Sequence, residues 1–339
     1  MPGMQVRRLT LAAVVTLAAG AASGPSVARA DPPPAPGRMI GLLHAWSADD
    51  STPYTKAINN ANVIVGQSGS KAVKWVDGLP LYLTEVPGYA ASAATDINEA
   101  GVIVGWAGPK SGYLKRKPVR WDPDGSYTLL TGNNESSWAE AISNDGHIAG
   151  RMATSNTAAR PVRIRGGRNL PIGEGSGTVA GVAAGGIVAG SFNECGTCAT
   201  TAFVDGSRVG GGTGLFGLPG GSDSRTVAGA MSADGLKIFG VANDELVAWA
   251  YEANPADGVH WRRTRIGRPP LPGVLTVSAV SSDGARVGGH TRTASLEQKA
   301  WIFENGAFVV LPAYSTWVEG VNIHGTVTGA MVSAPVFWK

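Results

Sequence analysis

Three features of the sequence predict an all-β chain folded as a seven-bladed β-propeller. A glycine-closed motif recurs seven times, at the spacing of propeller blades. Glycine is abundant, 48 of 339 residues, with no collagen period and no long helical pattern. Each motif is followed, at a regular place, by a second segment that opens on Ala or Pro and usually ends on a large apolar residue.

The chain opens with a segment outside the repeats. Arg7 and Arg8 precede an apolar run over residues 9–22, and Ala28-Arg29-Ala30 forms a small-x-small cleavage site before Asp31. This is the anatomy of an export signal over residues 1–30. The run is short for a membrane span, so the expected product is secreted and extracellular, with no membrane attachment after cleavage. The paired arginines leave general and twin-arginine export both open. Lys+Arg number 28 and Asp+Glu 25, and the leader holds Arg7, Arg8 and Arg29 but no acid. The remainder is therefore neutral, and charge gives no reason to expect nucleic-acid binding. Residues 31–36, rich in proline, form a stiff extended spacer. Residues 37–339 form one domain.

The first repeat reads Ala57-Ile58-Asn59-Asn60-Ala61-Asn62-Val63-Ile64-Val65-Gly66, and the second Asp96-Ile97-Asn98-Glu99-Ala100-Gly101-Val102-Ile103-Val104-Gly105. The third is Ala141-Ile142-Ser143-Asn144-Asp145-Gly146-His147-Ile148-Ala149-Gly150. The fourth, residues 181–190, keeps no Asn or Asp in its turn. The last three contain Ser232-Ala233-Asp234-Gly235, Ser281-Ser282-Asp283-Gly284 and Asn322-Ile323-His324-Gly325. Closing glycines at 66, 105, 150, 190, 240, 288 and 329 lie about 44 residues apart. Apolar residues, a short polar turn and a β-branched segment make each motif a hairpin. The Asp-Gly pairs lack the carboxylate row and closing Glu of a calcium loop.

The second segments are 72–75, 118–121, 161–164, 202–204, 248–251, 300–303 and 335–338. Proline is tolerated at the first position of such a strand. Leu-rich segments follow most of them, as at 79–83, 126–130 and 307–311. Each blade thus has four antiparallel strands, A to D. The seventh repeat ends without a D strand, and residues 37–43 supply a spare one. The N-terminal strand is therefore expected to close the last blade and remove a sheet edge. Strands A and B, rich in Gly and Ala, fit the narrow axis. Strands C and D, with Trp75, Trp121, Trp249, Trp301 and Trp338, fit the wide outer core.

These residues resemble the bacterial extracellular HAF-repeat family, whose units read roughly A-x-x-I-N-x-x-G-x-I-V-G, then A-F-x-W, then a Leu-Gly strand. The likeness spans residues 37–339. It rests on Ile58-Asn59 to Gly66, Ile97-Asn98 to Gly105, Ser232-Ala233-Asp234-Gly235 and Ala300-Trp301-Ile302-Phe303. The fourth repeat departs from the pattern. The resemblance implies a secreted β-propeller and assigns no catalytic residue.

Cys195 and Cys198 are the only cysteines. In an exported chain they most simply form a local disulfide. A zinc site would need two further soft ligands, and a thioredoxin-like pair a βαβ context. No metal or cofactor is expected.

The B–C and D–A connections open on one face, the default ligand surface. Trp46, Trp106, Trp138, Trp317, Tyr54, Tyr89, Tyr113 and Tyr314 map there, as does the basic stretch Lys110, Lys115, Arg116 and Lys117. Arg151, Arg160, His290 and Arg292 join them. These residues point to a non-enzymatic binding propeller, a monomer whose partner is an extracellular polysaccharide or cell-surface glycan, an anionic one included. The plainer alternative is that the rings plug loops and the cations are solvated. A carbohydrate-active enzyme is the second reading. A hydrolase would use two of Asp96, Glu140 and Glu319 across the channel. A lyase would use His290 or Tyr54 with Arg151. No His-x-x-x-His pair, Gly-x-Ser-x-Gly elbow or phosphate loop is present. A pure scaffold is the third reading.

Overall fold

The computed structural model describes residues 39–41, 53–131, 136–153, 155, 158–193, 200–205, 216–217, 226–256, 260–312, 315–331 and 334–338. The leader, the spacer, His44, Trp46, Tyr314, Cys195 and Cys198 lie outside the described residues. Strand β1 is Met39–Gly41. Blade 1 is β2 (Tyr54–Ile58), β3 (Ile64–Ser68), β4 (Lys71–Val76) and β5 (Leu79–Tyr82). Blade 2 is β6 (Ala91–Ile97), β7 (Ile103–Gly108), β8 (Lys117–Trp121) and β9 (Tyr127–Leu129). Blade 3 is β10 (Ser137–Ile142), β11 (Ile148–Ala153), β12 (Ala159–Arg165) and β13 (Arg168–Pro171). Blade 4 is β14 (Ser176–Ala183), β15 (Ile187–Asn193), β16 (Thr200–Asp205) and β17 (Phe216–Gly217). Blade 5 is β18 (Thr226–Met231), β19 (Lys237–Ala242), β20 (Glu245–Tyr251) and β21 (Trp261–Gly267). Blade 6 is β22 (Val274–Val280), β23 (Val287–Arg292), β24 (Gln298–Glu304) and β25 (Ala307–Val310). Blade 7 holds β26 (Ser315–Val321), β27 (Val327–Met331) and β28 (Ala334–Trp338).

All seven sheets are four-stranded and antiparallel. Six follow chain order. The seventh runs β1-β28-β27-β26, with Met39, Ile40 and Gly41 opposite Trp338, Phe337 and Val336. The N-terminal strand therefore closes the last blade. The first strands of successive blades touch in turn, and β26 returns to β2, so the A strands line the axis of a closed ring. A single chain zipped in this way leaves no blade with a missing outer strand.

Seven apolar clusters each join two neighbouring blades. Trp75, Trp121, Trp249, Trp301 and Trp338 are buried in them, as their C-strand positions require. The cluster of Ile64, Val73 and Trp75 with Phe337 seals blade 1 against blade 7.

Every A–B ladder contains a β-bulge. The extra residue is Lys56, Thr95, Glu140, Ala180, Gly229, Ser278 or Glu319, and blade 7 has a second shift at Thr316. The bulge explains the signature glycine. A Cβ at Gly66, Gly105 or Gly150 would fall on the carbonyl oxygen of Tyr54, Ala93 or Trp138. An extra residue in one strand aims that carbonyl into its neighbour, and only glycine leaves room. In blade 6 the residue in this place is Gly289, under the carbonyl of Thr276, and not Gly288. The adjacent glycines hid this one-residue shift in the repeat.

The turns explain why some repeats read Asn and others Ser-x-Asp. Asn59, Asn98 and Asn322 accept the N–H of Val63, Val102 and Thr326 through Oδ1 (2.9–3.0 Å). Their Nδ2 groups donate to the next blade, at Asn98 O, Ser143 O and Asn59 O. In blades 3, 5 and 6 the hydroxyls of Ser143, Ser232 and Ser281 accept the corresponding N–H and donate to Asp145, Asp234 and Asp283. The worn fourth turn, Ala184–Gly186, borrows its partners: Gly185 N–H donates to Asp145 of blade 3 and Ala184 N–H to Ala233 O of blade 5.

Candidate functional site

Most of the residues expected on loops of the B–C/D–A face are strand residues at that end of the disc. Trp106 lies in β7, Trp138 in β10, Arg151 in β11, His290 in β23 and Trp317 in β26. The ladders run further than the repeat motif, so Trp138 still pairs with Arg151 and Trp317 with Ala330.

Blades 2 and 3 bring five of the expected residues into one cluster. The Arg116 guanidinium lies 3.9 Å from the centroid of Trp106, 5.2 Å from that of Tyr113 and 5.6 Å from that of Trp138. Tyr113 packs on Trp138 at 4.8 Å, and the Arg151 guanidinium lies 5.0 Å from Trp138. Trp106 and Trp138 are only 6% and 3% exposed. They are therefore covered rings that brace cations, and not open platforms. A desolvated guanidinium over tryptophan gains on the order of 1–2 kcal/mol.

The two arginines differ in partners. Arg151 Nε donates to Glu140 Oε1 (2.7 Å), which also accepts Trp138 Nε1–H (2.9 Å). Arg116 has no carboxylate partner among the described residues, and its buried Nε has no hydrogen-bond partner. Burial pulls Arg116 below its ordinary value, partly offset by Tyr54, Tyr113 and Glu140. It remains a cation. Arg160 of β12 likewise has a buried Nε without a partner and no ion pair among the described residues.

Tyr54 links this cluster to the channel. Burial pushes its phenol up to about 12, with Arg116 opposing and Glu319 assisting. Lys56 Nζ lies 5.5 Å from the Tyr54 ring and donates to Glu319 Oε2 (3.2 Å). Other expected residues stay apart. Tyr89 packs in the cluster between blades 1 and 2. Lys115 is exposed at positive φ, its N–H on Ser136 Oγ. His290, on blade 6, is held below its usual range by burial and by Arg292, and its Nδ1 has no partner among the described residues. Trp317 is half-buried and takes no part in the ring–cation contacts.

The axial cavity, about 380 Å³, lies toward the opposite face, bounded by the bulge residues and the A–B turns. The carboxylates singled out from sequence, Asp96, Glu140 and Glu319, do line it. Lys56 was missed, because the bulge that turns it inward has no residue signature. Asp96 accepts N–H groups from Ile97 and, across to blade 3, Ile142, each at 2.8 Å. Burial pushes it up to about 7 against those two donors, with Glu99 adding to the rise. Among the described residues no group of His, Cys, Asp and Glu is arranged to hold a metal ion, and no helix is long and apolar enough to cross a membrane.

No protein-family model matches the chain, and no curated protein sequence matches it. Solved structures do. Streptogramin B lyase is 12% identical at a TM-score of 0.59, over 90% of this chain and 98% of that one. A chain of the mitotic checkpoint complex is 13% identical at 0.52, over 90% and 94%. The extracellular domain of the one-component system BT4673 from B. thetaiotaomicron is 7% identical at 0.53, over 89% of this chain and 40% of that one. At such identities the likeness shows the propeller fold alone.

Proposed function

We propose that the chain is an exported, non-enzymatic propeller whose B–C/D–A face binds an anionic carbohydrate, such as an acidic extracellular polysaccharide or cell-surface glycan. One observation carries this reading: Arg116 is a half-buried guanidinium, 3.9 Å from the centroid of Trp106, with no carboxylate partner among the described residues. Such a group is preorganised for a bidentate carboxylate. Tyr54, which keeps its proton at neutral pH, supplies a neighbouring O–H donor. Arg160 adds a second uncompensated cation on blade 3. Arg151, neutralised by Glu140, holds the Trp138 side of the frame. Export is supported by the leader and by the resemblance to extracellular HAF-repeat proteins.

The lyase reading has less support. Tyr54 is far too weak an acid to ionise at neutral pH, and His290 sits on another blade. The test is retention of the exported chain on immobilised acidic and neutral polysaccharides at low salt, with an assay for new chain ends. The expected result is retention on acidic glycans only, lost in Arg116→Ala, with no new reducing or unsaturated ends. Equal retention on neutral glycans, or release of new ends, would contradict it.

A further inference from the structure

The axial cavity has two unlike walls. Blades 7, 1, 2 and 3 contribute Glu319, Lys56, Asp96 and Glu140, whereas the strands of blades 4, 5 and 6 contribute no charged group. The bulge residues on that second side are Ala180, Gly229 and Ser278, beside Val179, Val182 and Met231. One wall is therefore ionic and the other small and largely apolar. Two of the three inner carboxylates already have cations: Glu319 has Lys56 and Glu140 has Arg151. Asp96 has only two backbone N–H donors and no cationic partner among the described residues. A carboxylate retains acceptor capacity beyond two such bonds. The turns at this end carry Glu99, Asp145, Asp234 and Asp283, beside the cations Lys237 and Arg286, of which Arg286 pairs with Glu304.

We propose that this cavity binds a small amphipathic organic cation, its ammonium paired with Asp96 and its hydrocarbon laid against blades 4 to 6. The ammonium supplies the charge that Asp96 lacks, and the apolar wall gains contact that water cannot give. Burial, with Glu99 adding to it, raises the proton affinity of Asp96. The other charged groups lining the cavity are Lys56 on β2, Glu99 at the β6 turn, Glu140 on β10 and Glu319 on β26; β14, β18 and β22 add none. The proposal does not depend on the polysaccharide reading.

The probe is n-hexylammonium chloride, titrated calorimetrically into the exported chain at about pH 8, where Asp96 is ionised. n-Hexanoate and n-hexanol serve as matched controls. Hexylammonium is expected to bind saturably and the controls not to. Asp96→Asn, which keeps one acceptor oxygen, should weaken binding by about tenfold or more. Ala180→Leu, which fills the apolar side, should abolish it. Lowering the pH to about 5.5 should weaken it in the native chain but not in Asp96→Asn. Equal binding of hexanoate or hexanol, no binding of hexylammonium, or unchanged affinity in a folded Asp96→Asn would overturn the proposal. If Asp96→Asn does not fold, unchanged binding by Ala180→Leu would do so.

Discussion

A carbonyl oxygen and a missing Cβ decide whether each blade can form. At Gly105 a methyl group would meet the Ala93 carbonyl, and the bulge would have to open. Gly105→Ala is expected to cost about 2–3 kcal/mol, as overpacking of a rigid site does. Gly101→Ala, at an open turn with positive φ, should cost only about 1 kcal/mol. Urea midpoints of the two variants check this, and equal losses would refute the steric origin of the repeat glycine. Asp96 gives a second test. Its folded value lies above the ordinary carboxylate value, so the native state holds the proton more tightly than the unfolded chain. Its contribution to stability is therefore most favourable below about pH 4 and declines as pH rises to about 7. The full swing is at most about 4 kcal/mol, and less because channel water reaches part of the residue. Across this window the native chain should lose stability relative to Asp96→Asn. A constant difference between the two would show that Asp96 titrates normally.

Hairpins, strand order and the closing strand were readable because each has a local chemical signature. Asn-rich and Ser-x-Asp-Gly turns mark A–B connections, and the buried tryptophans mark C strands. The bulges were not readable, since Lys56, Thr95, Glu140, Ala180, Gly229, Ser278 and Glu319 share no chemistry. Only the backbone ladder fixes them. This is why the carboxylates of the channel were found by position while their partner Lys56 was not, and why Gly288 was taken for Gly289. The aromatic and basic residues near the B–C/D–A face were found, but their burial was not. Sequence spacing cannot show that Arg116 folds back over Trp106. Closure by β1 has its own consequence. Deleting residues 1–41, so that the chain starts after β1, leaves the edge of β28 unpaired and should lower the melting temperature by several degrees relative to residues 37–339. It should also promote association through that edge. An unchanged, monomeric melting transition would mean that β1 contributes nothing to closure.

The disc as a whole presents two chemically different ends. One carries Arg116, set among aromatic rings, and Arg160, neither with an ion-pair partner among the described residues, and the other opens a cavity on the axis lined by Asp96, Glu140 and Glu319. The formal neutrality of residues 31–339 conceals this polarity. The seven-fold repeat supplies the scaffold, and its departures from repetition supply the chemistry. Arg116 has no counterpart that stacks in the same way among the described residues of the other blades.

The most direct measurement is calorimetric titration of an acidic oligosaccharide, such as an oligogalacturonide, into the native chain, Arg116→Ala and Arg116→Lys. Binding should weaken with added salt, fall about tenfold or more in Arg116→Ala, and recover only in part in Arg116→Lys, which keeps the charge but not the planar fork. Identical isotherms for the native chain and Arg116→Ala would contradict the assignment of this face as the binding surface.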